Sequence, residues 1–110
     1  MAVLVTVIDG TYGRPATGVS VRLDREIEGS WAEQKWDMTD EEGNIFRLGD
    51  APFPRGVYRL EFDLDSYFSS MGITPFYPVV SVKFRIAEPD QTHHISLLIT
   101  PSAYCTYRRQ

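Results

Sequence analysis

Apolar and polar residues alternate along much of this chain, and that alternation restricts it to β-structure. In a strand, successive side chains point to opposite faces, so an alternating run buries one face of a sheet and exposes the other. Five segments alternate in this way: Val3–Ile8, Val19–Asp24, Tyr58–Asp63, Val80–Ile86 and His94–Thr100. Less regular segments predict three further strands: Trp31–Met38, Asn44–Arg47 and Ala103–Tyr107.

Turn-forming residues separate these segments. The stretches DGTYGRPATG, DAPFPRG and AEPDQ predict loops or turns, and TDEEGN predicts a tight hairpin. The stretch DLDSYFSSMG predicts one short helix, which Asp63 or Asp65 caps and Gly72 ends. About eight short strands at regular spacing, with one helix, predict an all-β fold: a single domain over residues 1–110 that forms a two-sheet antiparallel sandwich.

Length, charge and hydropathy exclude several classes of protein. The chain has 110 residues, enough for one core, and its formal net charge of −4 argues against a nucleic-acid partner. No apolar run approaches the roughly 20 residues that span a bilayer, so no membrane partner is expected. The apolar start MAVLVTVIDG lacks the basic region of an export signal, and we expect a cytoplasmic protein. The aromatic cluster of Tyr67, Phe68, Phe76 and Tyr77 is interpreted as core.

The last predicted strand has few charges and is expected to lie at a sheet edge. It carries Tyr104, Cys105, Thr106 and Tyr107 before the first arginine. An apolar edge near a terminus favours pairing across a subunit interface. We therefore expect an oligomer, and the alternative is a monomer with an ordinary edge strand.

The two histidines do not predict a metal site. His93 and His94 are adjacent in a strand, so their side chains point to opposite faces. One histidine and Cys105 are too few ligands for zinc. No Gly-rich phosphate loop precedes a helix, so no cofactor is expected either. A single cysteine excludes an internal disulfide. Cys105 is interpreted as a buried structural thiol, and the alternative is a nucleophile activated by a base or a positive field.

His94 is the candidate general base, because a neutral imidazole titrates near working pH. It shares a strand face with Ser96 and Thr100, away from an apolar stripe. Spacing alone favours the other interpretation, a solvent-facing histidine on a sheet surface. The tail residues either clamp an anion or form a solubilising end: Tyr107, Arg108 and Arg109.

Several stretches resemble the transthyretin and 5-hydroxyisourate hydrolase family in order and spacing. They are VIDGTYGRPATGVSVRL, TDEEGN, GVYRLEFDLDSYF, PFYPVVSVKFRIAEPD and HHISLLITPSAYCTYR, which together cover nearly the whole chain. The resemblance implies a two-sheet sandwich of eight strands with one short helix. It also implies a homotetramer, a dimer of dimers, with sites in the channel between the dimers.

The resemblance also implies roles for particular residues. The seventh-strand histidine of the hydrolases corresponds to His94, and their tail tyrosine and arginine correspond to Tyr107 and Arg108. These three are the expected catalytic residues. The family's first-strand histidine and its arginine after the Asp-Gly hairpin are replaced by Thr6 and Asn44. The terminal Gly-Ser is replaced by Arg109 and Gln110. The expected substrate-binding residues are Thr6, Asn44, Ser96, Arg109 and Gln110.

These departures lead to three hypotheses about function. The first is a divergent enzyme that uses no cofactor and no metal and acts on a small, anionic or enolisable ring-containing substrate. Its reaction is a general acid–base ring opening, cyclisation, isomerisation or dehydration, with specialised metabolism as one setting. The second is a genuine 5-hydroxyisourate hydrolase of purine catabolism. The third is a non-catalytic carrier of small molecules, as the transthyretins are.

Overall fold

A computed structural model describes residues 2–50 and 52–109 of the chain. Within these residues it contains nine strands and one helix: β1 (Val3–Asp9), β2 (Arg14–Pro15), β3 (Ser20–Ile27), β4 (Ser30–Met38), β5 (Asn44–Ile45), β6 (Gly56–Asp63), α1 (Leu64–Ser69), β7 (Val79–Ile86), β8 (His93–Ile99) and β9 (Tyr104–Arg109). The first sheet has the order β2-β1-β8-β9, and β5 also pairs with β1. The second sheet has the order β4-β3-β6-β7. The predicted all-β sandwich with one short helix is therefore confirmed.

Two details of the sheets differ from the prediction. Strands β1 and β8 pair in parallel over seven residue pairs, whereas every other pair is antiparallel. The stretch DGTYGRPATG, predicted as a loop, contributes the short strand β2. Alternation reveals which residues share a face but carries no information on the direction of the neighbouring strand, so these pairings could not be read from it.

The core lies between the two sheets and contains the predicted apolar faces. The first sheet contributes Val3, Val5, Val7, Ile95, Leu97 and Ile99. Helix α1 closes one end: Asp63 caps it by accepting a hydrogen bond from the Ser66 backbone N–H, as predicted. The helix ends at Ser69, and Gly72 lies in the following turn with φ of 74°. No helix in the described part of the chain is long and apolar enough to cross a membrane.

The predicted TDEEGN hairpin is wrong, because this turn joins the two sheets. It connects β4 of the second sheet to β5, which pairs with β1 of the first sheet. The Asp40 carboxylate accepts hydrogen bonds from the Glu42 and Asn44 backbone N–H groups. Gly43 adopts φ of 79°, and its carbonyl oxygen accepts a bond from the Val7 N–H at 2.8 Å. The turn therefore fixes the position of Asn44 against β1.

Several aromatic and sulfur side chains are more exposed than predicted. Tyr67 and Phe68 are buried, but Phe76 and Tyr77 are exposed, so only half of that cluster belongs to the core. The predicted buried thiol is wrong, because Cys105 is exposed. Its strand, β9, lies at the edge of the first sheet, and all of its residues are exposed in the single chain. Oligomerisation through this edge stays a prediction.

Candidate functional site

Strand register brings the candidate residues onto the outer face of the first sheet. His94 on β8 lies beside Leu4 of β1 and opposite Arg109 of β9. Thr6 of β1 lies opposite Asn44 of β5. Directly paired residues share a face, and this face is opposite the one that carries the buried valines of β1. Four of the predicted site residues are therefore neighbours.

Thr6 joins two of these residues by hydrogen bonds. Its hydroxyl donates to Asn44 Oδ1 at 2.7 Å, and the same oxygen lies 2.8 Å from His94 Nε2. Thr6 is buried, while Asn44 and His94 are half-buried. The chain of bonds therefore ties β5, β1 and β8 together at the floor of a small hollow. The hollow has a volume of about 140 Å³ and is lined by Leu4, Val5, Thr6, Asn44, Ile45, Phe46, His94 and Arg109.

The electrostatics of the hollow favour a neutral imidazole. Burial lowers the pKa of His94, and the positive charge of Arg109 lowers it further. Among the described residues that line the hollow, Arg109 is the one with a formally charged side chain. A base that is uncharged at neutral pH, beside a guanidinium, can take a proton from an anionic ligand.

Of the two tail arginines, Arg109 lines this hollow and Arg108 does not. Arg108 lies opposite Ile95, whose side chain is buried between the sheets, and so faces away from His94. It lines a separate pair of small hollows with Arg85 and His93. The structure therefore brings Arg109, and not Arg108, beside His94.

The remaining predicted residues have different surroundings. Tyr107 lies opposite Ser96, on the His94 side of the sheet, but does not line the hollow. Ser96 is fully buried, and its Oγ has no hydrogen-bonding partner within the part of the chain that the structure describes. Gln110 lies outside the described residues.

Phe46 is a site residue that sequence reasoning missed. It lines the hollow, and its side chain is 62% exposed. Its spacing of two residues from Asn44 is the signal that could have revealed it, since residues i and i+2 of an extended segment share a face. In residues 2–50 and 52–109 no three His, Cys, Asp or Glu side chains gather as metal ligands.

Solved structures resemble this chain closely. Transthyretin from Sparus aurata is 33% identical and superposes with a TM-score of 0.91, over 97% of this chain and 95% of its own. Sea bream transthyretin in complex with thyroxine gives a TM-score of 0.92 at 33% identity, over 99% and 95% of the two chains. The 5-hydroxyisourate hydrolase of Klebsiella pneumoniae gives 0.88 at 30% identity, with both chains fully covered.

Sequence relatives give the same family. The 5-hydroxyisourate hydrolase of Halalkalibacterium halodurans is 35% identical over 109 residues, 93% of this chain and 92% of its own. That of Caulobacter vibrioides is 34% identical over 107 residues, with the same shares covered. The model of the HIUase/Transthyretin family matches residues 3–109. The family resemblance predicted from the sequence is thus confirmed, and this chain belongs to the HIUase/Transthyretin family.

Proposed function

We propose that this chain is a cofactor-independent enzyme that moves a proton on a small, ring-containing anion held in the hollow beside His94. The observation that carries the proposal is a half-buried imidazole, whose pKa is lowered, beside Arg109 in a hollow to which residues 2–50 and 52–109 contribute no carboxylate. His94 takes the proton as general base. Arg109 holds the carboxylate, phenolate or enolate of the substrate.

The departures from the family pattern favour a reaction other than that of the hydrolases. Thr6 has a hydroxyl that does not ionise near neutral pH, so it cannot replace a histidine as base. Asn44 can donate a hydrogen bond but cannot neutralise an oxyanion as an arginine can. Losing such a donor costs on the order of 3 kcal/mol in the transition state, about a hundredfold in rate. One base, His94, and one cation, Arg109, are sufficient for a ring opening, cyclisation, isomerisation or dehydration. Specialised metabolism is a suitable setting for such a reaction.

The proposal includes a homotetramer whose channel contains the hollow. Leu98 and Tyr107, on the same sheet face, are 38% and 48% exposed in the single chain. A second copy packed on this face would cover them and close the hollow against water, which strengthens electrostatic interactions inside it.

Arg108 faces the other side of its own sheet, away from His94. We therefore assign the anion-binding role to Arg109, with Tyr107 at the margin of the site and Gln110 as an untested neighbour.

A comparison of wild-type protein with His94→Gln tests the enzyme. Ring-containing carboxylates, phenolates and enolates are incubated with each protein, and products are followed by NMR, because an isomerisation leaves the mass unchanged. Wild-type protein is expected to convert at least one compound, and His94→Gln is expected to lose at least a hundredfold in rate. Equal turnover by both proteins would show that His94 is not the base. Binding in the hollow without conversion of any compound would also reject the enzyme.

Hydrolysis of 5-hydroxyisourate is the second candidate, because relatives at 34% and 35% identity are named 5-hydroxyisourate hydrolases. Freshly generated 5-hydroxyisourate is mixed with the protein, and its absorbance is followed. Decay faster than in buffer, and slowed in His94→Gln, supports this reaction. Decay at the buffer rate rejects it.

A carrier without catalytic activity is the third candidate, since sea bream transthyretin superposes with a TM-score of 0.92 and is known in complex with thyroxine. Titration with thyroxine, followed by quenching of tryptophan fluorescence, measures this directly. Saturable binding with no chemical change of the ligand supports a carrier, and chemical change that a deletion of the tail abolishes counts against it.

A further inference from the structure

The Thr6 hydroxyl contacts both Asn44 and His94 but has one hydrogen to donate. A threonine hydroxyl has one hydrogen to donate and two lone pairs that accept. Thr6 donates its hydrogen to Asn44 Oδ1 at 2.7 Å. The contact of 2.8 Å between Thr6 Oγ1 and His94 Nε2 therefore has no hydrogen from the threonine. The hydrogen in that contact must come from Nε2 of the imidazole.

The second nitrogen of His94 is then the one with a free lone pair. A neutral imidazole carries one N–H, so a hydrogen on Nε2 leaves Nδ1 unprotonated. Nδ1 has no hydrogen-bonding partner within residues 2–50 and 52–109. In that part of the chain the buried polar side-chain atoms without partners belong to Arg25 and Ser96. Among the described residues, therefore, none competes with a ligand for the lone pair of Nδ1.

We infer that Asn44 and Thr6 are positioning residues that hold His94 in the tautomer with hydrogen on Nε2, so that Nδ1 is the atom that takes the substrate's proton. This inference rests on the proposed function for its catalytic meaning. The family resemblance indicates Thr6 and Asn44 as substrate-binding residues, but the Thr6 hydrogen is already engaged with Asn44. Their influence on the substrate therefore passes through His94.

The direction of the bonds limits the reaction class. When Nδ1 accepts a proton from the substrate, the substrate keeps the electron pair and His94 becomes an imidazolium. The Asn44 amide oxygen at the far end of the chain is not basic at neutral pH, so the proton cannot leave along it. In a hollow that a second copy closes against water, as proposed above, the proton must depart from Nδ1, either to another atom of the same anion or to a leaving oxygen. One nitrogen thus removes and returns the proton, which fits isomerisation, ring closure or dehydration of an anion with an acidic C–H or O–H near its charge.

Nitrogen-15 NMR of the protein without any ligand tests the tautomer. The chain contains two histidines, so a His93→Gln variant assigns the signals of His94. Above the His94 pKa, we expect Nε2 to show the shift and coupled hydrogen of a protonated nitrogen, and Nδ1 the shift of an unprotonated one. A protonated Nδ1, or a mixture of tautomers in comparable amounts, would overturn the inference.

Two substitutions at one position test the role of Asn44. In Asn44→Leu the Thr6 hydroxyl loses its acceptor and becomes free to donate to His94 Nε2. The ratio of the two tautomers is then expected to shift toward hydrogen on Nδ1 by roughly tenfold or more. Asn44→Asp still accepts from Thr6 and is expected to keep hydrogen on Nε2. An unchanged tautomer in Asn44→Leu, with native circular dichroism, would show that Asn44 does not set it.

The experiments can reject the positioning role and the enzymatic function independently of each other. Unchanged turnover in His94→Gln with hydrogen on Nε2 in the wild type would reject the enzyme and leave the positioning role intact. Hydrogen on Nδ1 together with loss of turnover in His94→Gln would reject the positioning role and leave His94 as a base that acts through Nε2.

Discussion

Replacing Asp24 is expected to have a large effect on stability, because its carboxylate is buried and accepts hydrogen bonds from two arginines. Its side chain is 2% exposed. Arg22 donates two hydrogen bonds to it, at 2.9 and 3.1 Å, and Arg59 donates two more, at 3.0 and 2.8 Å. Both arginines also approach the more exposed Glu61. The alternation of β3 indicated only a polar residue on the outer face, so the burial of Asp24 is a finding of the structure.

Replacing Asp24 by Asn keeps the shape and removes the charge. The amide keeps one acceptor oxygen but turns an NH₂ group toward two guanidinium donors. Removing one partner of a buried ion pair typically destabilises by about 3–5 kcal/mol. Because Glu61 still pairs with the arginines, we expect the lower end, a loss of about 3 kcal/mol in the free energy of unfolding.

Urea unfolding at pH 7 measures this loss, at one fixed protein concentration because association adds apparent stability. With an m-value of about 1–3 kcal/mol/M, the midpoint is expected to fall by about 1–3 M. Glu61→Gln is the control and should cost no more than about 1 kcal/mol, since Glu61 is more exposed. A loss below about 0.5 kcal/mol in Asp24→Asn would refute the reasoning.

The pH dependence gives an independent check on Asp24. Burial, the largest single cause, raises its pKa, but the hydrogen bonds and positive charges of Arg22 and Arg59 together outweigh burial and hold the pKa below its usual value. A carboxyl whose folded pKa lies below its unfolded pKa contributes all of its stability above the unfolded value and loses it as pH falls through the folded one. The gap between wild type and Asp24→Asn should therefore be constant from about pH 5 to 8 and shrink below about pH 4. A gap that persists at low pH would contradict this account.

Three further predictions concern the turn, the helix and the site. Gly43→Ala would press a Cβ against a carbonyl oxygen of β1 at a positive φ, so thermal unfolding should show a loss of at least about 2 kcal/mol, and a smaller loss would contradict the close approach. Tyr67→Phe removes the 2.7 Å bond to the buried carboxylate of Asp9 and should cost about 1.5–3 kcal/mol by urea unfolding; no measurable loss would reject the bond's contribution. Arg109→Gly should raise the pKa of His94 in an NMR titration yet leave it below the ordinary value, because burial, the larger cause, remains; an unchanged or lower pKa would exclude that influence of Arg109.

Much of the sandwich could be predicted because alternation is a direct consequence of strand geometry. Each of the five alternating segments became a strand, and their apolar residues form much of the core. Connections between sheets could not be predicted in the same way. A turn such as TDEEGN has the same local chemistry whether the next strand returns to its neighbour or crosses to the other sheet. Here β5 crosses to pair with β1, and that crossing brings Asn44 to Thr6.

The site could be predicted in part, through the resemblance and not through periodicity. His94, Thr6 and Asn44 were expected to be site residues and are neighbours in the structure. The choice between Arg108 and Arg109 depended on the register of β9 against β8, which decides which of two adjacent side chains faces His94. A shift by one residue would exchange them. A register of that kind is set by pairing in three dimensions and leaves no trace in the spacing of the tail.

The departures of this chain from the hydrolase pattern act as a set. Thr6 needs an acceptor for its hydrogen, and Asn44 supplies one at 2.7 Å. An arginine at position 44 could only donate to Thr6, which would release the threonine hydrogen for His94 Nε2 and shift the imidazole to the opposite tautomer. Restoring the arginine alone would then place a cation in the hollow and at the same time move the free lone pair of His94 away from Nδ1. Under the proposed function, Asn44→Arg by itself should therefore not give this chain the chemistry of the hydrolases, and the positive charge among the described lining residues comes from Arg109 on β9.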